Sequence, residues 1–168
     1  MNQELIIRIF ADGMAIPIIL IGSYALVFKI PRGQRLESYK RVLMAGLTAY
    51  LLAKLIGSVY QPSSERPFEI LGAVAGATYL NNPGFPSDHT LFLMAITCAV
   101  WFETRQKVIS IILLLLVISV CFGRVIALVH TPMDVIGGVL IALAGSVWYL
   151  GSKAEFNQKN IALLTKQK

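Results

Sequence analysis

The chain consists of long apolar runs separated by short polar segments. Five runs contain few charged residues, and they cover residues 5–28, 42–61, 90–102, 108–129 and 132–150. About 20 apolar residues in an α-helix span the hydrocarbon core of a bilayer. The run at 90–102 is shorter than this unless residues 86–89 form its first turn. The pattern predicts an all-α transmembrane bundle of about five spans, folded as a single domain over residues 1–168.

Residues 68–85 do not fit the pattern of a span. They lie between the second and third runs and are rich in glycine, alanine and aromatic residues. We expect an interfacial or re-entrant segment here. The chain starts Met-Asn-Gln-Glu, without the basic region of a signal peptide, so the first run is predicted to be a retained helix.

Composition supports a membrane protein. The chain is 56% hydrophobic and 14% charged, and its mean hydropathy is +0.69. Soluble domains carry about 25% charged residues, so too few are present to cover a water-facing surface. Disorder, a disulfide scaffold and a collagen-like fibre are excluded. The net charge of +6 does not indicate a nucleic-acid partner, because no soluble basic face is predicted.

The basic residues are unevenly distributed between the two ends of the predicted bundle. With five spans, 11 of the 15 lysines and arginines fall on one side: Lys29, Arg32, Arg35, Lys40, Arg41, Arg105, Lys107, Lys153, Lys159, Lys166 and Lys168. Basic residues favour the cytoplasmic side of a membrane. The distribution therefore predicts a cytoplasmic C-terminus and an external N-terminus. A sixth span at 68–85 would scatter the basic groups across both faces.

The opposite side collects the polar residues that membrane segments usually lack. These residues are Arg66, Ser87, Asp88, His89, Arg124, His130 and Asp134. They are distant in sequence, but the alternating direction of the spans brings them to one end of the bundle. Ionisable groups at membrane depth are costly and are usually functional.

Each of these residues also has a purely structural interpretation. Ser87 is a possible N-cap, and Thr131 with Asp134 fits a capping box at the start of the last span. Arg66 is a possible interfacial anchor, and Arg124 a snorkelling side chain. Their occurrence together on one face favours a functional site over coincidence.

The residue types suit phosphoryl transfer. Arg66 and Arg124 offer forked donors for phosphate oxygens, and Ser87 adds a hydroxyl at a helix N-terminus, where anions bind. His130 is a candidate nucleophile.

A carboxylate one helical turn from this histidine, at Asp134, would fix the imidazole tautomer. His89 can then protonate the leaving oxygen. The sequence contains neither a carboxylate cluster typical of a Mg²⁺ site nor a glycine-rich phosphate loop. We therefore expect a metal-independent reaction without a cofactor.

Three motifs carry a resemblance to a known family. They are Arg66-Pro67, Pro86-Ser87-Asp88-His89 and Arg124-x5-His130-x3-Asp134. They resemble the signature motifs of the type-2 phosphatidic acid phosphatase superfamily, over a core of about residues 54–150. The resemblance implies that His130 forms a phosphohistidine, that Asp134 supports it and that His89 is the general acid. It also implies that Arg66, Ser87 and Arg124 bind the phosphate.

The chain departs from the family pattern at two positions. The family usually has a lysine seven positions before the motif-one arginine, where this chain has Val59. Lys54 is the nearest lysine, and we include it with Asp88 among the candidate substrate-binding residues. Lys54 also has a structural interpretation, as an amine that snorkels or is paired within the bundle. The third motif usually begins Ser-Arg, and here Gly123 replaces the serine.

The missing lysine and the small five-span body resemble the bacterial undecaprenyl pyrophosphate phosphatases of this superfamily. That resemblance implies a multi-pass protein of the bacterial plasma membrane, with its site facing outward and a phosphorylated polyprenyl lipid as substrate. Phosphatidylglycerophosphate or phosphatidic acid is the second candidate, and lipid A phosphates are the third. A catalytically silent protein that binds anionic lipid is the alternative from another class. The sequence leaves the oligomeric state open.

Overall fold

The computed structural model describes residues 2–63 and 65–150, and regular structure in this part of the chain is entirely helical. Six α-helices follow one another: α1 Gln3–Phe28, α2 Arg35–Val59, α3 Pro67–Ile70, α4 Asp88–Ala99, α5 Lys107–Ile126 and α6 Pro132–Gly145. A π-helical turn, Ile9–Gly13, lies within α1. A second one, Val100–Thr104, extends α4, while 3-10 turns at Arg32–Gln34 and Ser146–Tyr149 precede α2 and follow α6.

Within the described residues, four segments are long and apolar enough to cross a membrane, and they contain α1, α2, α5 and α6. The predicted all-α membrane bundle is thus confirmed. The third predicted span corresponds to α4 and its π-helical extension, which begin at Asp88 and end at Thr104. This segment is the shortest of the five long helices because residues 86 and 87 remain outside the helix.

The short helix α4 lies at the centre of the bundle. It packs against α1, α2, α5 and α6, and most of its residues are buried. Small residues allow the closest approaches, as is usual between membrane helices. A Cβ on Gly138 of α6 would lie 2.8 Å from the carbonyl oxygen of Ser87, and one on Gly145 would lie 2.5 Å from that of Ala45.

Residues 67–87 fold over one end of the bundle as α3 followed by turns, and do not form a span. This segment is tied to the chain between α5 and α6. The Phe68 N–H donates to the Leu128 carbonyl at 3.0 Å, and the Gly76 N–H donates to the Ala127 carbonyl at 2.9 Å. A Cβ on Gly76 would lie 3.0 Å from the Ala127 Cα, so a larger residue here would require the Ala127 backbone to move by a few tenths of an ångström.

The other end carries the basic residues that precede and begin α2 and those that lie between α4 and α5. There, the Arg41 guanidinium donates to both oxygens of buried Glu103, at 2.7 and 2.8 Å. The basic residues counted in the charge pattern at 153, 159, 166 and 168 lie outside the described residues.

The contact between α6 and α2 gives a stability prediction. Gly145→Ala should lower the free energy of unfolding by about 1–3 kcal/mol, because its Cβ would collide with the backbone of Ala45. Gly46→Ala is the matched control, since among the described residues a Cβ there meets no atom within 4 Å beyond its own stretch of helix. It should be neutral or stabilising. Thermal midpoints of both variants in detergent test this, and equal midpoints would contradict the packing described.

Candidate active site

The bundle brings five of the predicted site residues around one cavity. The cavity has a volume of about 100 Å³ and lies where α5 ends and α4 and α6 begin. Its lining includes Arg66, Asp88, His89, Arg124 and His130. Backbone and side chains of residues 78–84 complete the wall.

Asp134 lies directly behind His130. The Oδ2 atom of Asp134 is 3.5 Å from the buried Nδ1 of His130, which has no hydrogen-bond partner in the described part of the chain. The same carboxylate oxygen accepts the Thr131 N–H at 2.7 Å, and the Thr131 hydroxyl oxygen accepts the Asp134 N–H at 3.2 Å. The predicted capping box is confirmed. The Asp134 carboxylate therefore both caps the start of α6 and faces the His130 imidazole.

The surroundings of His130 favour a neutral imidazole. Burial lowers the pKa of His130 below its ordinary value of 6.5, and the nearby Arg124 and Arg66 guanidinium groups lower it further. Asp134 acts in the opposite direction and raises the pKa in part. Because burial is the largest effect, the ring is held unprotonated near neutral pH, which is the state required of a nucleophile.

Arg124 is almost completely buried, with 1% of its surface exposed. Its Nη1 donates to Asp12 Oδ1 at 2.7 Å, and Asp12 Oδ2 accepts the Thr78 N–H at 2.9 Å. The snorkelling interpretation of Arg124 is wrong, because the side chain stays inside the bundle. The Nε of Arg124 is buried and has no partner among the described residues.

Asp12 is the site residue that sequence reasoning missed. It lies in the first apolar run, four residues after Arg8, a spacing that by itself also allows the two side chains to pair on one helix face. The structure pairs it with Arg124, 112 positions away. Its place inside an otherwise apolar run was the available signal.

Arg66 is also buried, so its interpretation as an interfacial anchor is wrong. Its Nη1 donates to the Val129 carbonyl at 2.6 Å. Its Nη2 donates to the Leu80 carbonyl at 3.0 Å and to both the carbonyl and the side-chain oxygen of Asn82. Arg66 thus joins the segment over the site to the residue preceding His130.

Ser87 occupies the N-cap position of α4, but its side chain makes no capping hydrogen bond. It is fully buried and is not among the residues that line the cavity. Its hydroxyl oxygen accepts the Thr90 hydroxyl at 3.2 Å, and its N–H donates to the Asp134 carbonyl at 3.0 Å. Ser87 therefore connects the second motif to the third.

Lys54 lies beside the cavity rather than in its wall. Its Nζ is 3.5 Å from Asp88 Oδ1, and both side chains are partly exposed. This agrees with the interpretation of Lys54 as a paired amine. Two adjoining cavities include both residues in their lining.

Within residues 2–63 and 65–150, no group of three or more histidine, cysteine, aspartate or glutamate side chains is arranged to hold a metal ion. The cavity lining instead includes two guanidinium and two imidazole groups, with Asp88 at the edge towards Lys54. Such a donor set suits an anionic ligand.

The titration of His130 tests this electrostatic environment. Histidine NMR should give a midpoint below 6.5 for His130, because its neutral form is favoured by burial and by two arginines. Asp134→Asn should lower the midpoint further, since the carboxylate raises it. The chain has two histidines, so a His89→Gln variant assigns the signals. A midpoint at or above 6.5 would contradict the burial of the ring.

Comparison with known proteins places this geometry in a family. The chain is 32% identical over 110 residues to undecaprenyl-diphosphatase BcrC of Bacillus subtilis (strain 168), a match that covers 64% of this chain. The chain spans 55% of that relative's length. No solved structure matches the chain. The model of the PAP2 superfamily matches residues 39–157, which include all three motifs and well over half of the chain. The chain therefore belongs to the PAP2 superfamily.

Proposed function

We propose that the protein is a membrane lipid phosphatase that transfers the terminal phosphoryl group of its substrate to His130. The observation that carries this proposal is the convergence of two arginines and two histidines on one cavity. A carboxylate lies behind one of these histidines, at Asp134. A site of this composition binds a phosphate, offers a nucleophile and supplies a proton donor.

The reaction has two steps. In the first, the Nε2 of His130 attacks phosphorus, because Nδ1 faces Asp134. An N–P bond forms while the P–O bond to the lipid breaks, and the electron pair passes to the lipid oxygen, which takes a proton from His89. In the second step, a water molecule attacks phosphorus and gives its proton to His89. The N–P bond then breaks and inorganic phosphate leaves.

The arginines stabilise the charge on the transferred group. Among the described residues the Arg124 Nε–H has no hydrogen-bond partner, and Asp12 holds the Nη1 end of the guanidinium in position. Arg66 lines the cavity while its other donors hold backbone carbonyls. Rigid, desolvated donors of this kind are effective because they do not reorganise during the reaction.

We rank a polyprenyl diphosphate first among the substrates. An apolar groove of about 490 Å³ runs between α2 and α4 and reaches Asp88 at the edge of the site, so a lipid chain can lie in it. The name of the Bacillus subtilis relative, undecaprenyl-diphosphatase, supports the same headgroup. Phosphatidylglycerophosphate or phosphatidic acid ranks second and lipid A phosphates third. A silent binder of anionic lipid is the non-enzymatic alternative.

The proposed orientation places the site on the outer face of a bacterial plasma membrane, where it would meet the headgroups of the outer leaflet. The support is the cluster of basic residues at the opposite end of the bundle. A fluorescent protein fused after Lys168 should fluoresce, because such a reporter matures in the cytoplasm and the C-terminus is predicted to lie there. An alkaline phosphatase fused at the same place should be inactive. The reverse pair of results would invert the orientation.

Phosphate release by the detergent-purified protein tests the activity. In EDTA, the wild type should release phosphate from undecaprenyl diphosphate faster than from phosphatidic acid or phosphatidylglycerophosphate, and vanadate should inhibit it. His130→Ala should lower kcat by at least about 10³-fold, because the nucleophile is lost.

The matched variant is Asp134→Asn, whose amide oxygen can still accept the Thr131 N–H and preserve the cap. It should lower kcat by about 10²-fold or more, because the imidazolium loses its counter-charge. Full activity of His130→Ala, or a strict requirement for Mg²⁺, would overturn the mechanism. Faster release from a glycerolipid would keep the mechanism and change the substrate.

A further inference from the structure

Three cavities meet at Asp88. The first is the site cavity, and the second, of about 240 Å³, lies between the end of α2 and residues 82–86. The third is the apolar groove between α2 and α4. Asp88 contributes to the lining of all three, and Lys54 to that of the second and third. Lys54 thus lies where the polar cavity opens into the apolar groove.

The ammonium group of Lys54 is weakly held in this position. Its contact with Asp88 is long, at 3.5 Å, and the two side chains are 49% and 36% exposed. Pairs of this kind are screened by water and contribute little. The other contact of the ammonium group is with the face of the Tyr50 ring, whose centroid is 5.3 Å away. An anionic ligand at the junction can therefore recruit Lys54 at little cost.

The proposed function determines which part of the substrate lies at this junction. The terminal phosphoryl group occupies the site cavity and the lipid chain occupies the groove, so the atoms that connect them pass Lys54 and Asp88. In a diphosphate lipid these atoms are the second phosphate. In a monophosphate lipid they are a single ester oxygen. An anion is thus present at the junction only for the diphosphate.

We propose that Lys54 binds the second, lipid-linked phosphate and makes the enzyme selective for diphosphate over monophosphate lipids. This inference rests on the proposed function. When the bridging P–O bond breaks, its electron pair adds negative charge to the lipid-linked phosphate until His89 donates a proton. The Lys54 ammonium stabilises that charge, and Asp88 neutralises the ammonium when no substrate is bound.

Val59 is the last residue of α2 and lies seven positions before Arg66, where the family usually has its motif-one lysine. Val59 is largely exposed, and its short apolar side chain cannot provide a cation. Lys54 is the cation that α2 presents to the cavities beside the site. Because Lys54 lines the apolar groove but not the site cavity, it lies on the side of the lipid chain, where the leaving group is placed.

The test compares two lipids with the same chain, farnesyl diphosphate and farnesyl monophosphate. Lys54→Met should lower kcat/KM for the diphosphate by about 10- to 100-fold, the effect of one charge-assisted hydrogen bond, and change that for the monophosphate by less than about twofold. Lys54→Arg should retain most of the preference. Lys29→Met is the matched control, because Lys29 also lies over a tyrosine ring, that of Tyr24, but at the opposite end of the bundle.

The outcomes separate the two proposals. Suppose that the wild type releases phosphate. If Lys54→Met then loses the same fraction of activity on both lipids, or loses no activity on either, the inference about Lys54 is wrong and the proposed function stands. If the wild type releases phosphate from neither lipid, the proposed function fails and the selectivity with it. Thermal midpoints of Lys54→Met and Lys54→Arg close to that of the wild type show that both variants are folded.

Discussion

Burying charged groups inside an apolar helix bundle is the constraint on which the active end of this protein depends. A buried guanidinium requires counter-charges and acceptors around it. Arg124 donates a hydrogen bond to Asp12 of α1, and Arg66 donates hydrogen bonds to backbone carbonyls on both sides of the cavity. These contacts join segments that are distant in sequence, including one between the first helix and the fifth. The groups proposed to bind phosphate are therefore also the groups that hold the site together.

Structural and functional roles coincide at the start of α6 as well. Asp134 closes a capping box with Thr131 and at the same time faces the Nδ1 of His130. The capping hydrogen bonds restrict the Asp134 side chain to one conformation. An unpaired surface carboxylate would keep its rotamer freedom and would lose entropy on being ordered against the imidazole. The chain on the other side of His130 is held through the Val129 carbonyl by Arg66. The imidazole is thereby positioned from both directions.

Several features could be predicted from the sequence because they depend on local patterns. The long apolar runs indicate the bundle, and Thr131 with Asp134 has the spacing of a capping box. The direction of the spans brings His89, Arg124 and His130 to one end. The family resemblance follows from three short motifs that lie at or near the ends of α3, α4, α5 and α6. The apolar runs and the capping box can be recognised without knowledge of tertiary contacts, because a helix fixes the relative positions of its own residues.

The sequence by itself determined the helical membrane bundle and the set of polar residues at one end. Only the tertiary structure decided which of these residues meet. It paired Asp12 with Arg124 rather than with Arg8, and it placed Lys54 beside the cavity, next to Asp88. It also folded residues 67–87 over the site as a short helix and turns. The reason is physical: partners across a bundle depend on how helices rotate and pack, and this is encoded by contacts among many residues rather than by spacing within one.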